Sequence, residues 1–226
     1  MVVSRRGGVR TSGRIVEAEA YLGPEDQASH AAFRPGSHHL LYGEGGHAYV
    51  YLNYGVHYCL NAIANPAGRP GCVLIRALEP LEGLSTMARR RSVPADAPRL
   101  TSGPGNVTRA LGLSLRDNGA DLTRGPLVIM PAEQPREFTV ARGPRVGITR
   151  SIELPLRFWI AGHPSVSRGG AVRPPRSATG STADRPALAG WTRRARAPRP
   201  ESRAAKTDAR RDSTSARRAP TGRESD

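Results

Sequence analysis

The sequence predicts an α+β fold, in which one mixed domain (residues 1–168) is built around a mostly antiparallel β-sheet and is followed by a disordered basic tail (residues 169–226). In the first part, short apolar runs rich in β-branched and aromatic residues are separated by glycine and proline, which is typical of strands joined by turns. The second part has few large apolar residues, so it cannot bury enough surface to offset the entropy of ordering. A chain of 226 residues fits one domain plus such a tail.

The same pattern gives the approximate bounds of the elements. The predicted strands are Gly13–Glu19, Ala48–Asn53, Val56–Ala64, Cys72–Leu78, Leu127–Met130, Arg145–Ile148 and Leu156–Ala161. The predicted helices are Pro24–Ala32, Pro80–Arg91 and Asn106–Leu113. The second helix ends in three arginines, which either complement the helix dipole at a solvated end or form a phosphate-binding patch.

The charge of the chain indicates a polyanionic partner. Its formal net charge is +15, of which the tail contributes +8 from 14 basic and six acidic residues, leaving +7 for the domain. Nucleic acid is the first candidate and an anionic membrane surface the second. Lys206 is the only lysine, so the charge comes from arginine, whose planar fork suits phosphate binding and stacking. A genomic bias in base composition would explain the arginine excess equally well.

Composition also restricts the compartment and the cofactors. No apolar run approaches the roughly 18 residues of a membrane span, and the start of the chain lacks the apolar core of a signal peptide, so a cytoplasmic protein is expected. Cys59 and Cys72 lie in apolar runs and are predicted to be buried, reduced thiols. Because the cysteines and histidines show no metal-ligand spacing, no metal site is expected. The glycine-rich segments match neither a P-loop nor a dinucleotide fingerprint and are interpreted as turns.

A carboxylate and an aromatic ring share one face of the first predicted strand. Residues two apart in a strand point to the same side, which groups Glu17, Glu19 and Tyr21. A general base needs a carboxylate near a water, and a base-binding pocket needs an aromatic plane on which to stack. Taken alone, such a pair is more often a surface glutamate and a core tyrosine.

Two further features carry possible chemistry. The strands on either side of Asn53-Tyr54-Gly55 suggest a tight hairpin with Tyr54 at its tip, where the ring either wedges into a base stack or folds back over its own strands. Arg76 interrupts an apolar strand and therefore needs an acidic or phosphate partner. Glu19, a DNA phosphate or an ordinary internal ion pair would each satisfy it.

Several motifs, in order and spacing, resemble the alkyladenine (3-methyladenine) DNA glycosylase family. The resemblance extends from about Gly13 to Arg168. The residues that carry it are Gly13–Asp26, Ala28–His30, Gly45–Tyr51, Tyr54–Gly55, Asn61, Val73–Gly83, Ser102–Gly105, Ala110–Gly112 and Leu156–Phe158. The resemblance implies a single mixed domain with a protruding β-hairpin and no metal or cofactor.

The resemblance also implies catalytic roles. Glu19 would activate the attacking water, and Arg76 would help to place that water. Backbone contacts near the water would come from the segment around Val146. The expected enzyme is a monomeric base-excision repair glycosylase that acts on double-stranded DNA containing damaged purines. It would not cut the strand, because a Schiff base needs an amine and Lys206 lies in the tail.

Other residues would bind the base, again by resemblance. Tyr21 and Tyr51 would sandwich the flipped purine, and their faces would attract a cationic base by about 0.5–2 kcal/mol. His30 would pack against the base and offer a hydrogen bond. Asn61 would exclude the amino group of normal guanine, and Tyr54 would fill the gap in the duplex.

Three departures from the family pattern leave other functions open. Only Met1–Ser12 precede the first motif, the loop Phe33–Gly43 lacks the expected Thr-x-Arg-Asn and Met-Phe-Gly elements, and the tail after Arg168 matches nothing in the family. A catalytically impaired, non-enzymatic DNA-binding remnant is therefore the alternative. A third hypothesis is an RNA-binding protein that uses Tyr49, Tyr51 and Tyr58 as a stacking platform.

Overall fold

A computed structural model describes residues 1–132 and 137–167 of the chain. In these ranges the strands are β1 (Val2–Arg6), β2 (Val9–Tyr21), β3 (Ala48–Asn53), β4 (His57–Ile63), β5 (Cys72–Glu82), β6 (Leu127–Ile129), β7 (Val140–Gly143) and β8 (Arg157–Ile160). The α-helices are α1 (His30–Phe33), α2 (His38–Leu41), α3 (Leu84–Arg91) and α4 (Pro104–Leu111). The predicted mixed domain around an antiparallel sheet is confirmed for this part of the chain, whereas the predicted disordered tail lies outside the described residues.

All the described strands belong to one antiparallel sheet, with β2 at its centre. The strand order is β3-β4-β5-β2-β1-β6, and β8 pairs with both β2 and β7. The pairing of β2 with β5 shifts register on both sides of Glu17, and Arg76 has no partner residue in β2. Because bulges re-aim side chains, these irregularities decide where Glu17 and Arg76 point.

The two faces of the sheet pack against different apolar clusters. On one face, α3 and α4 cover the main apolar core, which includes Val50, Leu60 and Ile75. On the other face, Tyr49 and Tyr51 pack in a smaller apolar cluster with α1 and α2. Since neighbouring side chains alternate between faces, the tyrosines on this second face are directed away from the main core.

Two predicted elements are wrong. Arg145–Ile148 is a loop, not a strand, because the side chain of Arg145 is buried against Asp26 and the backbone N–H of Val146 bonds a side chain. Pro24–Ala32 is mostly turn, because the Asp26 carboxylate accepts hydrogen bonds from the backbone N–H groups of Leu22 and Ala28. Helix α1 begins only at His30, where the Ser29 side chain caps it.

Other bounds shift at the ends. The predicted helix Pro80–Arg91 begins at Leu84, since Pro80 pairs with Gly13 in the sheet and Gly83 turns the chain at φ 72°. Strand β1 was not predicted, although its buried valines pair with β2 and β6. The segment Met1–Ser12 therefore supplies a strand and the start of β2 to the sheet.

The arginines at the end of α3 bond to nearby backbone. Arg90 donates to the carbonyl oxygen of Ala110, and Arg91 donates to that of Leu100. These bonds join α3 to α4 and to the following loop, so two of the three arginines have a structural role. Of the helices in the described ranges, none is long and apolar enough to cross a membrane.

Candidate active site

A cavity of about 560 Å³ opens on the second face of the sheet, between the strands, α1 and the loop of residues 146–150. Its size is in the range of small-molecule sites. The sheet residues that line it are Tyr21, Tyr49, Tyr51, Asn53, Cys59, Asn61, Cys72, Leu74 and Arg76. Aromatic faces together with a few polar groups suit a flat, heteroaromatic ligand.

Glu19 lies buried beneath this cavity, in contact with three of the lining residues. Its Oε1 accepts a hydrogen bond from the backbone N–H of Val146 at 2.7 Å. Its Oε2 accepts from the Tyr21 hydroxyl at 3.0 Å and from Arg76 Nη1 at 3.3 Å. A carboxylate accepts about four hydrogen bonds, so Glu19 keeps capacity for one more donor, such as a water.

Arg76 connects Glu19 to a second buried carboxylate. Its Nε donates to Glu17 Oε1 at 2.9 Å, and its Nη2 donates to the Ser167 hydroxyl at 3.2 Å. Only 6% of Arg76 is exposed. Of the three partners that the sequence leaves open, two are observed, since Arg76 pairs with Glu19 and also forms an internal ion pair with Glu17.

Glu17 accepts four hydrogen bonds, one more than Glu19 accepts. Besides Arg76, it accepts hydrogen bonds from Arg157 Nε at 2.7 Å, from the Ser167 backbone N–H at 2.7 Å and from the Ser167 hydroxyl at 2.8 Å. The sequence patterns do not identify Arg157 or Ser167 as part of this cluster. Buried and enclosed by these donors, Glu17 has a structural environment rather than one open to a water.

A second buried ion pair, also missed from the sequence, fixes the loop that reaches Glu19. Arg145 donates from Nη1 to Asp26 Oδ2 at 2.5 Å and from Nη2 to Asp26 Oδ1 at 2.7 Å. Burial raises the pKa of Asp26, but hydrogen bonds from Arg145 and from backbone N–H groups outweigh it and hold that pKa below its ordinary value. Because Val146 follows Arg145, this pair positions the N–H that bonds Glu19.

The two tyrosines expected to hold a base line the same cavity. Burial raises the pKa of both Tyr21 and Tyr51, and the Glu19 carboxylate raises that of Tyr21 further. Both phenols therefore stay protonated at neutral pH. The Tyr21 hydroxyl is thus a permanent donor to Glu19.

His30 belongs to a chain of hydrogen bonds at the cavity wall. Its Nδ1 lies 2.7 Å from the Tyr49 hydroxyl, which in turn lies 2.8 Å from the Ser37 hydroxyl. Its ring centroid is 4.5 Å from that of Tyr51. Ser37 comes from the loop that departs from the family pattern, so this loop still contributes a polar group to the site.

We expect His30 to be neutral at physiological pH. Burial, together with the nearby charge of Arg34, lowers its pKa from 6.5 to about 4. Because the unfolded chain binds this proton at higher pH than the folded one, stability should fall as pH drops from 6.5 towards 4. An NMR titration of the His30 ring measures the pKa directly, and melts of the parent and His30→Gln over this range measure the linkage. A midpoint near 6.5, with equal acid sensitivity in both proteins, would contradict the burial argument.

Asn61 and the two cysteines form the inner wall. The Asn61 side chain donates from Nδ2 to the Tyr49 carbonyl oxygen at 3.0 Å, and its Oδ1 lies 3.8 Å from Cys72 Sγ. Cys59 and Cys72 are free and buried, which confirms the prediction of reduced thiols. Burial raises the pKa of both thiols, that of Cys72 to about 12. Within the described ranges, no group of His, Cys, Asp or Glu side chains could hold a metal ion.

Tyr54 occupies the tip of the β3–β4 hairpin, at the edge of the cavity. Its φ is 50°, and the N–H of Val56 closes the turn on the Asn53 carbonyl oxygen at 3.0 Å. The residue is 84% exposed, so the alternative in which its ring folds back over the strands is wrong. The three-tyrosine platform does not form either, because Tyr58 packs on the main core, opposite Tyr49 and Tyr51.

The structure therefore brings the residues singled out in the sequence to one place. Around a single cavity lie Glu19, Tyr21, His30, Tyr51, Asn61, Arg76 and Val146, with Tyr54 at its edge. The fold and this site define a small α+β protein with a buried carboxylate under an aromatic cavity.

Comparison with known proteins gives the family. The sequence model described as "Methylpurine-DNA glycosylase" matches residues 1–164, and the chain belongs to this family. A Bacillus cereus protein named "Putative 3-methyladenine DNA glycosylase" is 41% identical over 175 residues, covering 71% of this chain and 85% of the relative. A Methanoculleus marisnigri protein of the same name is 42% identical over 166 residues, covering 72% and 86% respectively. The family resemblance inferred from the motifs is confirmed.

Proposed function

We propose that this chain is a base-excision repair glycosylase, which flips an alkylated or deaminated purine out of duplex DNA and hydrolyses its N-glycosidic bond. The observation that carries the proposal is the buried Glu19 carboxylate, fixed by three donors beneath an aromatic cavity. Family membership and the names of the two relatives support the reaction class. The substrate of this chain is inferred from them together with the cavity.

Glu19 and its partners provide what the reaction needs. Cleavage of an N-glycosidic bond passes through a sugar with oxocarbenium character. The C1′–N bond breaks with its electrons leaving on the base, while the water oxygen bonds to C1′ and its proton passes to Glu19. The negative charge of Glu19 also stabilises the developing cation. Arg76 and the Val146 N–H hold the carboxylate in one orientation, so its free acceptor position is available to the water.

The cavity walls recognise the base. Tyr21 and Tyr51 supply the two stacking planes, and neutral His30 packs beside them with one ring nitrogen already engaged by Tyr49. The buried Asn61 amide lines the cavity, and we expect it to collide with the exocyclic amino group of normal guanine. Binding an extruded base between aromatic rings is the general solution for enzymes that act on a single base in a duplex.

Replacing Tyr54 with Ala should weaken binding to lesion-containing duplex without destabilising the protein. A stacked aromatic side chain is worth roughly 1–3 kcal/mol, which predicts a loss of affinity of about tenfold to a hundredfold. The 84% exposure of Tyr54 predicts an unchanged melting temperature. Tyr54→Phe, which keeps the ring, is the matched control and should bind like the parent. Unchanged affinity in Tyr54→Ala would exclude the proposed role of Tyr54 in filling the gap in the duplex.

The proposed partner is double-stranded DNA, bound by a monomer in the nucleoid. A net charge of +15 favours binding to the phosphate backbone. The described residues contain a complete carboxylate site, a base-sized cavity and an exposed aromatic tip. These features favour an enzyme over a non-enzymatic remnant.

The test uses duplex DNA with one lesion at a known position. We propose that the chain removes the base without cutting the strand, because the chain has one lysine, Lys206, beyond the domain proposed for residues 1–168. Strand breaks should therefore appear only after hot alkali. Breaks without alkali would exclude a monofunctional enzyme, and a cooperative melt with no release under either condition would support the remnant.

A further inference from the structure

An arginine stands against each of the two tyrosines proposed to hold the base. Arg145 Cζ lies 4.6 Å from the ring centroid of Tyr21, and Arg34 Cζ lies 5.5 Å from that of Tyr51. Both tyrosines line the cavity, whereas neither arginine does. Each guanidinium group therefore lies over one face of its tyrosine ring.

This arrangement changes what the rings can bind on their free faces. An aromatic face attracts a cation through the ring quadrupole. Where one face already carries a guanidinium group, a cation on the other face meets a like charge across the thickness of the ring. The ring excludes water from the space directly between the two charges, so the repulsion is screened less than it would be across open solvent.

The two arginines differ in how far their charge is compensated. Arg145 forms a bidentate pair with Asp26, so its charge is balanced nearby. Glu17 and Glu19 are engaged with Arg76 beneath the cavity floor. Arg34 is exposed, and its guanidinium group has no carboxylate partner in the described part of the chain. Of these two arginines, Arg34 is therefore the one whose charge is not balanced by a carboxylate. Arg150, which is also exposed, lines the cavity as a further cation.

His30 lies close to the same ring and to the charge of Arg34. Its ring lies 4.5 Å from that of Tyr51, on the cavity wall. Its pKa is lowered to about 4 by burial and, in addition, by the charge of Arg34. A positive charge at this position is thus disfavoured even on a side chain of the protein itself.

We propose that Arg34 is a specificity-determining residue that disfavours positively charged purines in the cavity relative to neutral ones. The inference rests on the proposed function, since it requires the base to lie between Tyr21 and Tyr51. It modifies the expectation that the tyrosine faces simply attract a cationic base. Neutral lesions such as hypoxanthine gain in relative preference over cationic ones such as 7-methylguanine.

The test compares two lesions in otherwise identical duplexes, one containing 7-methylguanine and the other hypoxanthine. Single-turnover excision rates are measured against protein concentration for the parent, Arg34→Gln and Arg34→Lys. The quantity of interest is the ratio of excision efficiencies for the two lesions, in which intrinsic leaving-group differences cancel between variants. Removing one charge at this distance should raise the 7-methylguanine to hypoxanthine ratio by about threefold to tenfold in Arg34→Gln. Arg34→Lys keeps the charge and should stay close to the parent.

A second control separates this effect from general loss of DNA affinity. Arg99→Gln removes an equally exposed arginine that does not line the cavity. It should lower excision of both lesions alike, leaving the ratio unchanged. An unchanged ratio in Arg34→Gln, with both lesions excised, would overturn the inference alone. Failure of the parent to excise either lesion would instead overturn the proposed function on which it rests.

Discussion

Glu19→Gln should lower the single-turnover rate of base release by at least about 10²–10⁴-fold, the usual contribution of general-base catalysis. Gln keeps the size and one acceptor oxygen of the side chain but removes the charge that we propose takes up a proton and stabilises the sugar cation. Affinity for the same duplex should stay within a few-fold of the parent, because Glu19 has no exposed surface. The measurement is single-turnover excision of hypoxanthine from duplex DNA, with binding measured on the same substrate.

The ion pairs around Glu19 indicate that Glu19→Gln should fold, so a loss of excision in this variant would report on the chemical step. Arg76 loses one carboxylate partner but keeps Glu17, so the buried guanidinium group is not left without a counter-charge. The fold should therefore survive, which a cooperative melt would establish. A Glu19→Gln protein that excised within a few-fold of the parent would show that another group activates the water.

Glu17→Gln should cost about 3–5 kcal/mol in the free energy of unfolding, as expected when one partner of a buried ion pair is removed. The carboxylate of Glu17 is shared by Arg76 and Arg157 and also accepts two hydrogen bonds from Ser167. A neutral amide cannot balance the two guanidinium groups, and its NH₂ group would face donors. Denaturant unfolding of the parent and the variant measures the loss.

Glu82→Gln is the matched control for this stability prediction. Glu82 pairs with Arg10 at the surface, where its side chain is 44% exposed, so the change should cost less than about 1 kcal/mol. If Glu17→Gln were as mild as Glu82→Gln but abolished excision, Glu17 would replace Glu19 as the candidate base. If Glu17→Gln instead unfolds the protein, the loss of activity in this variant says nothing about whether Glu17 takes part in the reaction.

The strand bounds predicted from the sequence are accurate where residues close in the chain determine them. Strand β3 has the predicted bounds Ala48–Asn53, because its alternating residues are divided between two apolar clusters and the turn at Tyr54 ends it. The loop around Val146 was mistaken for a strand, since Arg145-Val146-Gly147-Ile148 has strand-like composition. Its conformation depends on Asp26, which lies 119 residues earlier and leaves no local signal.

In the candidate site, too, the residues in short motifs were predictable, whereas contacts between distant parts of the chain were not. The motifs identify several of the residues that line the cavity, among them Tyr21, Tyr51 and Asn61, because these fall in or beside short blocks such as Glu17–Tyr21. The supporting cluster is formed by residues far apart in the chain, with Ser167 150 positions from Glu17. No periodicity or spacing rule connects such positions, so Arg157, Ser167 and the pair of Asp26 with Arg145 became visible only in three dimensions.

Release of free 3-methyladenine from methylated duplex DNA tests the central claim most directly. The supernatant is analysed for free bases after incubation with the parent protein, with Glu19→Gln in parallel as the matched blank. We expect 3-methyladenine to accumulate with time for the parent and to stay at the spontaneous level for Glu19→Gln. No release by a folded parent, or equal release by both proteins, would contradict it.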